Sequence, residues 1–146
     1  MATLSRPGFR LDPLTGIPYK SRVTAIVDVE LTPSDIAFIN AGFPLTLKSS
    51  FWGDDGQFNG GDDFLFSFTP QNITASGTYT FSEVVYDATF NEDDSFFDDW
   101  DEIYNSFTLS AKTEIKLPFP FGKTLNIPLG SADTSVLEGY FYSNPF

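Results

Sequence analysis

The chain is 146 residues long, which suits one domain with a core large enough to fold without disulfides or metals. It has no Cys and no His, so thiol chemistry, disulfide bridges, Ser/His/Asp or Cys/His catalysis and His-based metal sites are all excluded. Its 8 Lys and Arg against 20 Asp and Glu give a net charge of -12, which speaks against nucleic acid as a partner and against direct membrane binding without Ca2+, since both depend on basic side chains.

Residues 1–21, MATLSRPGFRLDPLTGIPYKS, hold three Pro and two Gly and show no periodicity, so an extended basic N-terminal arm is expected there. With Arg22 included, the segment carries Arg6, Arg10, Lys20 and Arg22 against the single acid Asp12. A domain spanning 22–146 follows. In RVTAIVDVEL, Val23, Ala25, Val27, Val29 and Leu31 alternate with polar positions, the period of a half-buried strand. Thr32, Pro33, Ser34 and Asp35 offer capping residues for one short helix over 33–40, and Gly42 offers its stop.

Phe43, Leu45, Leu47 and Phe51 mark one face of the next strand, and Phe64, Phe66 and Phe68 alternate until Pro70 closes another. In TYTFSEVVYDATF the apolar phase shifts between Phe81 and Val84, which predicts a bulge near Ser82 and Glu83. Ile103, Phe107, Leu109, Ala111, Ile115 and Leu117 give the longest alternation, and KTLNIPL and SVLEGYFY supply the last strands. With 17 Phe, 6 Tyr and a single Met, this pattern predicts an all-β fold. The expected architecture is an antiparallel β-sandwich of seven to eight strands, Greek-key in topology and Ig-like or C2-like.

Between Asp54 and Glu102 lie 13 of the 20 acidic residues and no Lys or Arg. They fall into two strand-connecting clusters. The first, GDDGQFNGGDDF, offers Asp54, Asp55, Asp62 and Asp63, with Gly residues that let carbonyls turn inward. The second offers Asp87, Asp93, Asp94, Asp98, Asp99 and Asp101. Carboxylates and carbonyls on irregular loops suit Ca2+, which takes six to eight oxygen ligands. EF-hand and RTX spacings are not met.

The run VVYDATFNEDDSFFDD resembles the third calcium loop of C2 domains, β-sandwiches whose Asp ligands come from two loops at one end. The resemblance implies Asp87 as a first ligand and Asp93 or Asp94 as a later one. Thr89 stands where the family's D-x-D pair has its middle Asp.

Competing readings follow from the same residues. Runs of like charge also serve as solvated surface. Carboxylate pairs could act on glycosidic bonds, with Trp52 and Trp100 as sugar platforms, although no motif here sets a carboxylate pair at either separation such chemistry needs. The basic arm and the acidic loops are complementary, so self-association through the N-terminal arm is expected of a subunit in a particle, fibre or tail. The functional expectation is a non-enzymatic, Ca2+-binding interaction or assembly module. No apolar stretch follows Met1 and no run approaches about 20 apolar residues, so an intracellular start or a virion or assembly component is expected.

Overall fold

The computed structural model describes residues 2–17, 19–53, 63–90, 100–115 and 123–140. Among them, nine strands form two antiparallel sheets: Thr3–Pro13 (β1), Lys20–Glu30 (β2), Leu45–Gly53 (β3), Asp63–Ser67 (β4), Gln71–Ile73 (β5), Gly77–Tyr86 (β6), Trp100–Ile115 (β7), Lys123–Asp133 (β8) and Leu137–Tyr140 (β9). Sheet A has the order β1-β2-β6. In sheet B, β3 and β7 pair at the centre, β4 and β5 share the outer side of β3, and β8 and β9 share the outer side of β7. Six strands therefore fill four positions in sheet B, beside the three of sheet A.

The β2/β6 pair in one sheet and the β3/β7 pair in the other interlock, because the chain changes sheet from β2 to β3, from β5 to β6 and from β6 to β7. That is a Greek-key β-sandwich. Its order corresponds to strands A-B-E facing C-F-G in the immunoglobulin-type arrangement, with β4 and β5 beside the C position.

The core is built by alternation. Val23, Ala25, Val27 and Val29 point inward from β2, and Leu45, Leu47 and Phe51 from β3 meet Ile103, Phe107, Leu109 and Ala111 from β7. Phe51 is the hub of an aromatic cluster, with ring centroids 5.0 Å from Phe9, 5.2 Å from Phe90, 5.9 Å from Phe68 and 6.4 Å from Phe66. Each such Phe removed from water contributes roughly 1.5–3 kcal/mol, and this cluster accounts for five of the chain's 17 Phe.

Helix α1, Pro33–Asn40, lies between β2 and β3. Its start is a capping box: the Thr32 backbone N–H donates to Asp35 Oδ2 at 2.8 Å, and the Asp35 N–H donates to Thr32 Oγ1 at 3.3 Å. At its end, Gly42 has φ +89° and its N–H donates to the Ile39 carbonyl, while the Phe43 N–H donates to the Phe38 carbonyl. This is the Schellman closure, in which a left-handed residue satisfies the last carbonyls.

Three local features depart from simple alternation. β6 pairs with β2 without a register break from Gly77 to Tyr86, so the expected bulge near Ser82 and Glu83 is absent. Tyr79, Phe81 and Val85 keep the inward face, while Val84 and Tyr86 are apolar residues on the outward face, 38% and 60% exposed, which is what made the phase look broken. A bulge does occur in β4: Phe66 pairs with Phe51 but Phe64 pairs with Trp52, so Leu65 is the extra residue. Phe64 is thereby turned from the Phe66 face to the outer face, where it is 57% exposed.

The third feature is β1. Thr3–Pro13 of the basic segment lies antiparallel on β2 of its own chain, with Arg6 and Pro7 opposing Val27 in a bulge and Arg6 at φ +48°. The bulge accommodates a Pro that has no N–H for the ladder. Ala2 and Leu4 are buried over Gly130 of β8, where an added Cβ would stand 2.8 Å from the Ala2 carbonyl oxygen. β1 thus helps to close one side of the sandwich.

Candidate functional site

The two acidic stretches join strands whose ends adjoin. The first leaves β3 at Gly53 and re-enters at Asp63, which pairs with Gly53. The second leaves β6 at Tyr86, passes through a 3-10 turn at Asp87–Phe90, and enters β7 at Trp100. Because β7 runs antiparallel to β3, with Gly53 opposite Ile103, the roots of both stretches lie at the same end of the sandwich. Phe90, fully buried against Phe51, fixes the turn over that end, and the turn approaches β4. The β1–β2 connection is there too, since Lys20 at the start of β2 pairs with Tyr86 at the end of β6.

Of the ten carboxylates offered by the two clusters, Asp63, Asp87 and Asp101 fall among the described residues, Asp101 as the second residue of β7. Asp54, Asp55, Asp62, Asp93, Asp94, Asp98 and Asp99 lie outside them. Asp63 is the exposed first residue of β4. Asp87 opens the 3-10 turn and is held from two sides: its N–H donates to the Tyr19 carbonyl at 2.8 Å, and its Oδ1 accepts from the buried Ser21 hydroxyl at 2.6 Å. Asp87 therefore has a structural task at the base of the second acidic stretch, tying the 3-10 turn to the start of β2. Among the described residues, no group of three or more Asp or Glu side chains is gathered closely enough to hold a metal ion.

The basic residues of the first 22 positions are distributed over sheet A. The Arg6 guanidinium pairs with Asp28 Oδ2, and Arg10 Nε lies 2.9 Å from Asp12 Oδ2. Lys20 sits 4.5 Å from the centre of the Tyr86 ring. Arg22 Nη1 donates to the Ser82 hydroxyl at 3.3 Å. Thr78 donates to Asp28 Oδ1 at 2.7 Å, and this hydrogen bond, with the Arg6 charge, holds the Asp28 carboxyl below its ordinary value.

Sequence reading missed one polar cluster, at the centre of sheet B. Asn105 of β7 is fully buried; its Nδ2 donates to Ser49 Oγ at 3.0 Å and to the Ser50 carbonyl at 2.9 Å. A polar residue at an inward position of an apolar alternation was the available signal. Among the described residues, no helix is long and apolar enough to cross a membrane. No protein-family model, curated protein or solved structure matches the chain.

Proposed function

We propose that this chain is a non-enzymatic interaction module that takes up divalent cations, Ca2+ foremost, through the Asp-rich stretches at one end of its sandwich. The observation that supports this reading is the pairing of Gly53 with both Asp63 and Ile103, which roots the two acidic stretches side by side. Two like charges about 4 Å apart repel by roughly 1 kcal/mol even in bulk water. A cation that several carboxylates share relieves that repulsion. Oxygen donors alone, without His or Cys, favour Ca2+ over transition metals.

The test is a calorimetric Ca2+ titration of the chain and of Asp54→Asn, Asp87→Asn and Asp93→Asn, paired with melting curves in Ca2+ and in chelator. Ca2+ at a hundredfold excess over Kd is expected to add about 2.7 kcal/mol of stability. Identical melting curves in Ca2+ and chelator would refute the reading.

The outer face of sheet A favours a second reading, self-association. It presents Ile26, Val84 and Tyr86, between 38% and 60% exposed, next to Lys20 and Arg22. In this reading the basic segment contributes to an interface as part of a sheet. Sedimentation of the same samples would show a multimer that dissociates in Tyr86→Ser, and a monomer at all concentrations would eliminate it.

A further inference from the structure

The outer face of sheet B, distinct from the acidic end, carries an open groove of about 560 Å³, within the range of small-ligand sites. Its floor is a ladder of three rungs across β3 and β7: Trp52 opposite Tyr104, Ser50 opposite Ser106, and Lys48 opposite Thr108. The β4 bulge adds Phe64 to the first rung. Aromatic rings therefore gather at one end, hydroxyls in the middle and an ammonium at the other end, four residues or about 13 Å from Trp52 along β3.

The aromatic end is fixed in advance. Trp52 Nε1 donates to Ser50 Oγ at 2.9 Å, and Phe64 meets the indole edge-on, with centroids 5.5 Å apart and planes at 75°. Little side-chain freedom is left to lose when a ligand arrives. The hydroxyls of Ser50, Ser106 and Thr108 each both donate and accept. An apolar peptide would leave that middle rung unmatched, whereas a saccharide presents C–H faces to rings and hydroxyl edges to hydroxyls.

The charges select further. Lys48 is exposed and has no ion-pair partner among the described residues, and it is the one charged side chain in the described lining of the groove. The carboxylates of this face stand outside the lining: Glu102 lies beyond Tyr104 toward the acidic end, and Asp133 lies across from Ser106 on β8. The groove is thus positive at the Lys48 end and meets negative charge beyond its aromatic end, at Glu102, and beside its middle rung, at Asp133. A distance of about 13 Å is that of a short chain of sugar rings rather than a single one. We infer that this groove binds a short oligosaccharide carrying a carboxylate, with an uncharged ring over Trp52 and Phe64 and the carboxylate at Lys48.

The experiment is an array of neutral, uronate-terminated and sialylated oligosaccharides probed with the full chain in chelator, which separates this site from any cation-dependent one. Calorimetry then follows with the tightest acidic glycan and with the same glycan after its carboxylate is reduced to an alcohol. Its uronate and sialyl arms distinguish the two sources of a sugar carboxylate. The reduced glycan is expected to bind about tenfold more weakly, the scale of one charge-assisted hydrogen bond, and Lys48→Gln is expected to abolish that difference. Trp52→Ala and Phe64→Ala should each weaken binding about tenfold or more while the far-ultraviolet dichroism stays that of the parent. No glycan bound, equal affinity with and without the carboxylate, or affinity indifferent to both Lys48→Gln and Phe64→Ala would each overturn the inference.

Discussion

Asn105→Leu removes a buried amide from the centre of sheet B while leaving its volume nearly filled. Asn105 and Ser49 are both 0% exposed and exchange two hydrogen bonds, Asn105 Nδ2 to Ser49 Oγ at 3.0 Å and Ser49 Oγ to Asn105 Oδ1 at 3.3 Å. A third, to the Ser50 carbonyl, ties the amide to the β3 backbone. With Leu in place, the Ser49 hydroxyl has lost its partner in a dry core, and an orphaned buried group costs about 1–3 kcal/mol. Adding the bond to Ser50 brings the expected loss to about 2–4 kcal/mol, a large part of a domain's net stability.

The assay is urea unfolding followed by Trp fluorescence, with the midpoint shifting at constant slope. Ser49→Ala in the same chain removes the orphan, so the double variant should recover about 1–2 kcal/mol of the loss. A loss under about 0.5 kcal/mol for Asn105→Leu, or strict additivity with Ser49→Ala, would refute the account of this pair as a coupled hydrogen-bonded unit.

Two further outcomes follow from the first strand and its partners. Gly130→Ala sets a Cβ 2.8 Å from the Ala2 carbonyl oxygen and 2.9 Å from Leu4 Cδ1, and is expected to cost about 1–3 kcal/mol and to speed proteolysis before Leu4; a parent-like melting temperature would contradict the packing of β1 on β8. Thr78→Val removes the strongest cause of the lowered Asp28 carboxyl, the second being Arg6. A carboxyl depressed in the folded state stabilises above its ordinary value of 3.8, and that stabilisation fades as pH falls through the folded-state value. The melting-temperature gap between parent and Thr78→Val should therefore be full at pH 7 and close below pH 3.8; a gap independent of pH would sink the assignment.

Much of the fold is readable where burial is continuous. β2 alternates without interruption, and the described inward faces of β3 and β7 do so except at the buried polar pair Ser49 and Asn105, because each strand is flanked on both sides and faces the core along most of its length. Helix α1 is readable because Thr32, Pro33, Asp35 and Gly42 are chemically specific to helix ends. Periodicity fails where one residue is inserted. Phe64, Phe66 and Phe68 read as one face, but Leu65 is extra, and Phe64 belongs with Trp52 on the outside. β1 shows no period because Pro7, Gly8 and the Arg6 bulge interrupt it, and pairing with β2 supplies the order instead.

The candidate site divides in the same way. Composition alone marks the acidic stretches. Their common end depends on β3 pairing with β7 across 50 to 66 residues of chain, a long-range fact that no local pattern carries. Asp87 illustrates the limit at a single residue: its place in a run of acids suggests a ligand, while its bond from Ser21, 66 residues away, shows a fastening role as well.

The interrupted outer lanes of sheet B bear on whether a second chain can continue that sheet. Long, flat edge strands invite a second chain to continue the sheet. Here one border is divided into five residues and three, with Phe68, Thr69 and Pro70 between them. The other is divided at Thr134–Val136 and carries Pro128 beside an extra residue, Leu129. Neither border of sheet B offers an incoming strand a long unbroken row of donors and acceptors, whereas in sheet A the edge strand β6 runs ten residues without a register break.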